Sequence, residues 1–113
     1  MPENKENLNI TTEGGRMCAS IFGDIDHHCA RELRLRIDTA FSCTDVNELV
    51  LDMSGVKFMD SSGLGLILGR FSKANAVGAS FGVVNPSEPV KRVLDIAGAQ
   101  RLISIKTEEK SKK

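Results

Sequence analysis

The residues able to do chemistry gather in two short stretches, Asp60-Ser61-Ser62-Gly63-Leu64-Gly65 and His27-His28-Cys29. Paired serines behind an aspartate admit three roles: a nucleophile, a phosphate cradle or a helix cap. A nucleophile elbow needs glycine two positions before the serine, whereas Met59-Asp60 precede Ser61 and Asp60-Ser61 precede Ser62. His27 or His28 could serve as a base, but nothing in the spacing sets that geometry. The phosphate-binding pattern GxxxxGK is absent, and Gly63, Gly65 and Gly69 are spaced one residue too far apart for GxGxxG. Adjacent helical side chains point about 100° apart, so His27-His28-Cys29 do not converge on one metal ion. A cap remains: Asp60 or Ser61 at a helix start places both hydroxyls where orphan backbone N–H groups point outward.

The glycines ask for more than a cap. Inside a helix each costs about 1 kcal/mol relative to alanine. Ser62, Gly65, Gly69 and Ser72 fall on one helical stripe beside the apolar face, so something approaches that backbone closely. A neighbouring element of this chain would satisfy the pattern, and so would a docking partner.

The elements that must hold these residues follow from periodicity. Residues 8–12 alternate apolar and polar, 17–22 form a second β-prone run, and Gly14-Gly15 supply a tight turn between them. Asp26 caps a helix whose inward positions are Ala30, Leu33, Ile37, Ala40 and Phe41, with Arg31, Glu32, Arg34, Arg36 and Asp38 on the other face. Residues 48–52 read as a short central parallel strand. A second helix opens at Asp60-Ser61-Ser62-Gly63, with Leu64, Ile67, Leu68 and Phe71 expected inward. Residues 80–84 form the next strand, and Asn85-Pro86-Ser87-Glu88-Pro89 breaks it to start a third helix. That helix turns Val90, Val93, Leu94 and Ala97 inward and stops at Gly98, before a last strand over 102–105. The order β-β-α-β-α-β-α-β implies an α/β fold. Its mixed four- to five-stranded sheet has an antiparallel hairpin, then right-handed βαβ crossovers, with helices flanking it. Function in such sheets sits in loops beyond the carboxyl ends of parallel strands, here expected at 22–28 and 53–65.

Composition narrows the classes further. The 113 residues and 12.3 kDa suit one domain over about 8–106, with polar 1–7 and charged 107–113 expected to be loose ends. Lys+Arg and Asp+Glu balance at 15 each, against a dedicated nucleic-acid binder, and five Phe with no Trp or Tyr offer few stacking platforms. No apolar run approaches the roughly 20 residues that span a bilayer, and the polar start lacks a signal-peptide segment, so a cytoplasmic protein is expected. Cys18, Cys29 and Cys43 are odd in number and form no CxxC, which fits that compartment and indicates neither a disulfide framework nor a zinc knuckle.

Three stretches together carry a family resemblance: residues 23–28, reading Gly-Asp-Ile-Asp-His-His, residues 50–65 through Asp60-Ser61-Ser62-Gly63-Leu64-Gly65, and residues 90–98. They resemble the anti-sigma factor antagonists, single STAS domains, and the Asp-His-His version is most similar to the sporulation-type members. The resemblance implies a regulatory protein without catalysis of its own, cofactor or metal. Its unphosphorylated form would bind an anti-sigma factor that is also an ATP-dependent serine kinase, releasing the sigma factor. That kinase would phosphorylate the first serine of the pair, Ser61 here, and a metal-dependent serine phosphatase would restore the active form. Asp26 matches the acidic partner-binding position, and His27, Asp60, Ser62, Gly63, Leu64 and Gly65 are the expected contacts around it. Sporulation-type members usually continue into a closing helix after the last strand, where this sequence has residues 107–113, and their start is shorter. A STAS scaffold or small-ligand-binding regulatory domain is the alternative, and a small serine hydrolase the enzyme-class competitor.

Phosphate on Ser61 would add about −1.5 to −2 charges at a helix N-terminus, where an anion is favoured by about 0.3 to 2 kcal/mol. Each like charge brought within about 4 Å across an interface costs on the order of 4 kcal/mol at an effective dielectric near 20. The expected switch therefore acts at the partner surface, without refolding.

Overall fold

In the computed structural model, residues 7–108 are described. Expectations for residues 1–6 and 109–113 lie outside them. The chain runs β1 (Leu8–Glu13), β2 (Arg16–Ile25), α1 (His27–Ser42), β3 (Glu48–Met59), α2 (Ser61–Ala76), β4 (Ser80–Val84), α3 (Glu88–Ala97), a 3-10 turn (Ala99–Arg101) and β5 (Ser104–Lys106). The five strands lie in sequence order, β1–β2 antiparallel and the others parallel, which is the mixed sheet the sequence implies. Gly14 and Gly15 take φ of 60° and 80°, the left-handed pair that a two-residue hairpin turn requires.

β2, β3 and β4 are each followed by a helix that returns the chain one strand further along. Right-handed crossovers in strict sequence order place those helices on one face of the sheet. Leu49, Leu51 and Met53 of β3 and Phe81 and Val83 of β4 meet Leu33 and Ile37 of α1, Ile67 and Ala74 of α2, and Val90 and Leu94 of α3 in one core. Phe71 and Phe81 add an edge-on ring contact with centroids 6.0 Å apart. No helix among the described residues is long and apolar enough to cross a membrane.

The first correction concerns strand length. The sequence suggests that the third strand stops at Asp52 and that 22–28 and 53–65 are loops. Instead β3 continues to Met59 and stays paired with β2, Phe22 opposite Gly55, Gly23 opposite Val56 and Ile25 opposite Met59, across two register shifts. Since β4 pairs β3 only as far as Asp52, the β2–β3 ribbon projects beyond the sheet. Met53, Val56 and Met59 turn inward along it, while Ser54, Lys57 and Phe58 are exposed. Gly55 is required by a close approach: a Cβ there would stand 2.4 Å from Cδ1 of Phe22. The candidate site therefore stands at the end of a hydrogen-bonded ribbon and not within a loop.

The buried face of α2 is also rotated from expectation. Leu66, Ile67, Arg70 and Ala74 are buried, whereas Leu64, Leu68 and Phe71 are half-buried against the core. The helix packs against α1 as well as the sheet, which widens its inward arc. Arg70 fills the α1 side and pairs its Nε with the Asp38 carboxylate 2.9 Å away. Desolvation lowers the Arg70 pKa, and Asp38 opposes that shift. Near the end of the chain Gly98, at φ 74°, stops α3 as expected, but the 3-10 turn follows and delays β5 to Ser104. Ala97 is exposed, contrary to the inward position read from its spacing.

Asn7 and Glu108, the first and last described residues, are both hydrogen-bonded. The Asn7 carbonyl accepts from the Phe22 N–H at 3.1 Å. Glu108 donates its N–H to Asn85 Oδ1 at 2.8 Å and accepts two bonds from Arg16 Nη2 at 2.9 Å, tying the segment after β5 to the first residue of β2. That bond to Glu108 raises the Arg16 pKa.

Candidate functional site

Both candidate stretches begin where the β2–β3 ribbon ends. Ile25 and Met59 are paired, so the residues that follow them, Asp26 and Asp60, stand at matching positions, and each caps a helix from extended backbone. The Asp60 N–H donates to the Ile25 carbonyl at 3.2 Å, which fastens the start of α2 to the end of β2.

At α1 the cap closes on itself. Asp26 Oδ1 accepts from the Cys29 N–H at 3.0 Å, and the Asp26 N–H donates to Cys29 Sγ at 3.4 Å. Cys29 Sγ donates in turn to the Asp24 carbonyl at 3.2 Å. The backbone bond from Cys29 lowers the Asp26 pKa, so this exposed carboxylate stays charged, while burial pushes the Cys29 thiol up and keeps it protonated.

At α2 the cap stays open. Asp60 Oδ1 accepts from the Ser62 N–H at 2.8 Å, but the third helical residue is Gly63, which has no side chain to reach back. Ser61, the first helical residue, is exposed, and its hydroxyl makes no hydrogen bond among the described residues. No histidine is bonded to it, so the structure assembles no nucleophile–base pair there. Nor do the described residues group three or more His, Cys, Asp or Glu as a metal site would.

The glycines divide sharply. Gly63 is buried, and a Cβ there would lie 2.7 Å from Met59 Cβ and 2.8 Å from its Sδ, so the chain's own packing demands it. Gly65 and Gly69 would meet nothing within 4 Å. Of the two explanations offered for the stripe, packing within the chain therefore applies to neither of these positions.

The expected contact residues accordingly fall into three groups. Asp26, His27, Ser61 and Gly65 are exposed; Asp60, Ser62 and Leu64 are half-buried; Gly63 lies beneath the surface. Between α1 and α2 a groove of 530 Å³ begins at this end, lined by His27, Ala30, Arg31, Arg34, Ser62, Gly65 and Leu66. Sequence reasoning placed Arg31 and Arg34 on a solvent face and missed their convergence with Ser62. Their spacing of three along one helix is the signal that both share a stripe.

Comparisons with known proteins bear on the family and the fold. The family model described as STAS domain matches residues 7–112. An anti-sigma F factor antagonist from Paenibacillus polymyxa is 36% identical over 101 residues, covering 88% of this chain and 86% of that protein. The solved structure of the anti-sigma factor antagonist SpoIIAA in its unphosphorylated form superposes with a TM-score of 0.77 at 30% identity, covering 89% of each chain. The Bacillus cell fate determinant SpoIIAA in its phosphorylated form gives 0.70 at 29% identity, over 89% of this chain and 92% of that one.

Proposed function

The chain belongs to the STAS-domain family of anti-sigma factor antagonists, and from that premise we propose that it is a partner switch governed by one serine. Unphosphorylated, it binds an anti-sigma factor in the cytoplasm and frees the sigma factor held there. The anti-sigma factor doubles as an ATP-dependent serine kinase, phosphorylates Ser61 and dissociates; a serine phosphatase resets the cycle. The protein performs no catalysis itself.

One observation carries the reading: the Ser61 hydroxyl is exposed and unbonded at the first position of α2, beside a cap whose single side-chain bond runs from the Ser62 N–H to Asp60. A kinase can reach it without unfolding anything, and the helix start tolerates the phosphate that results. The Asp26 carboxylate caps α1 at the position that matches Asp60, where a partner covering Ser61 would also meet it. Phosphate adds a second anion to that surface, and its charge and bulk expel the partner. The existence of SpoIIAA structures in unphosphorylated and phosphorylated forms supports a modification borne by the same fold.

Incubating the protein with the anti-sigma factor kinase of the same genome and ATP, followed by mass spectrometry, tests the assignment. One phosphate on Ser61, abolished by Ser61→Ala, is the expected result. Phosphate appearing only elsewhere contradicts it.

A further inference from the structure

The groove between α1 and α2 carries a charge pattern that the switch at Ser61 does not explain. Its polar lining is His27, Arg31, Arg34 and Ser62, with no carboxylate among the lining residues. Neither arginine has a hydrogen bond or acidic partner among the described residues, and both are exposed. Along α1 the neighbours of Arg31 three and four positions away are His27, His28, Arg34 and Leu35, none of them acidic. Arg34 has one acidic neighbour at that spacing, Asp38, but Arg70 holds it at 2.9 Å. Arg70 is itself buried with Nη1 unbonded within the protein, and Arg34 acts on it as a like charge. The one carboxylate within helical reach of the groove arginines is thus already taken by Arg70.

The floor adds a second observation. Gly65 is exposed, and a Cβ built on it meets nothing, so backbone is accessible beside the arginines. Ser62 connects this floor to the modified end of the groove.

We propose that the groove is a docking channel for an acidic segment of the anti-sigma factor, whose carboxylates pair with Arg31 and Arg34 over the glycine floor. This rests on the partner-switch reading and gives the partner a chemistry. Unpaired arginines lining a concave surface next to the contact serine are complementary to anions, and such charges set both association rate and partner choice. The channel also gives phosphorylation a further route to release: an anion at its mouth competes with the partner's carboxylates for the same positive field.

Affinity for the same-genome anti-sigma factor kinase, measured by titration calorimetry at several salt concentrations, tests the channel. The Arg31→Glu/Arg34→Glu variant should bind about 100-fold more weakly than the unaltered protein, with a flatter salt dependence and an unchanged melting temperature. The milder Arg31→Gln/Arg34→Gln variant should lie between them, and Arg92→Glu on α3 should bind normally. Unchanged affinity in both groove variants, in an assay where Ser61→Asp abolishes binding, overturns the channel and leaves the switch standing. No binding by the unaltered protein overturns both. Tighter binding of a duplex oligonucleotide than of the kinase overturns the acidic-segment assignment.

Discussion

The starts of α1 and α2 form a natural experiment within one chain. Both follow paired residues of the same ribbon, both are capped by aspartate from extended backbone, and the caps have φ of −113° and −98°. They differ at the third helical position. Cys29 reaches back to the Asp26 N–H and completes a reciprocal cap, whereas Gly63 cannot, and the Asp60 N–H turns to Ile25 instead. A tip closed by its own side chains has satisfied its donors locally. A tip whose third residue is glycine has no side chain to close it, and the serine at its first position is left exposed and unbonded. Met59 fixes the difference, because its side chain occupies the space that any larger residue at position 63 would need.

The largest effect should come from charge at the open tip. Ser61→Asp, or phosphate on Ser61, should leave the fold intact and weaken kinase binding on the order of a thousandfold, equivalent to about 4 kcal/mol. Surface plasmon resonance reads this directly, and unaltered affinity would break the claim that the two tips differ in function. Next comes packing behind that tip. Gly63→Ala drives a methyl group against Met59 Cβ, which is close to the backbone and cannot swing away as a distal atom would. A loss of about 1 to 3 kcal/mol in urea unfolding is expected. Full stability in Gly63→Ala would mean that Met59 does not enforce the glycine.

The open cap ranks below these. Asp60→Ala removes the acceptor for the Ser62 N–H and should cost about 1 kcal/mol by the same measurement. Asp60→Asn should recover most of it, since an amide oxygen still accepts. A loss as great in Asp60→Asn as in Asp60→Ala would show that charge, and not the hydrogen bond, matters at this tip.

The start of α2 was legible in the sequence because Asp and Ser favour caps and glycines inside a helix demand a reason. The hairpin was equally plain from Gly14-Gly15, and α3 from its prolines and Gly98. Three features were not legible, each for a physical reason. The extension of β3 from Met53 to Met59 hides behind Ser54-Gly55, which reads as a turn until Phe22 is seen to take the place of a Cβ. Arg70 reads as a surface residue on α2, since its partner Asp38 is 32 positions away on another helix. The groove depends on the approach of α1 to α2, a tertiary event to which no local pattern of Arg31 or Arg34 alone could point. Periodicity gives the direction a side chain faces; it does not give what stands opposite.

Gly65 supplies a smaller and more discriminating comparison with Gly63. Nothing within the chain meets a Cβ at this position, so Gly65→Ala should gain up to about 1 kcal/mol of stability from helix propensity. If the exposed backbone serves a partner, the same methyl group should weaken kinase binding several-fold. Opposite signs in unfolding and binding would identify a glycine kept for an external contact, and equal or improved binding would remove Gly65 from the interface.

The smallest effect concerns the closed tip and depends on pH. The Asp26 pKa is lowered by the Cys29 N–H bond, so the folded state favours the charged carboxylate more than the unfolded chain does. Its contribution is therefore present above the unfolded value, about 3.9, and is lost as pH falls through the lower folded value. The difference in melting temperature between the unaltered protein and Asp26→Ala should stay constant from about pH 7 to 5 and shrink below about pH 4. A difference that grew on acidification would mean the cap favours the protonated acid, contrary to the bonds at Cys29. Because Asp26 is exposed, the change should be slight in stability and clearer in partner binding, where the same carboxylate belongs to the proposed contact surface.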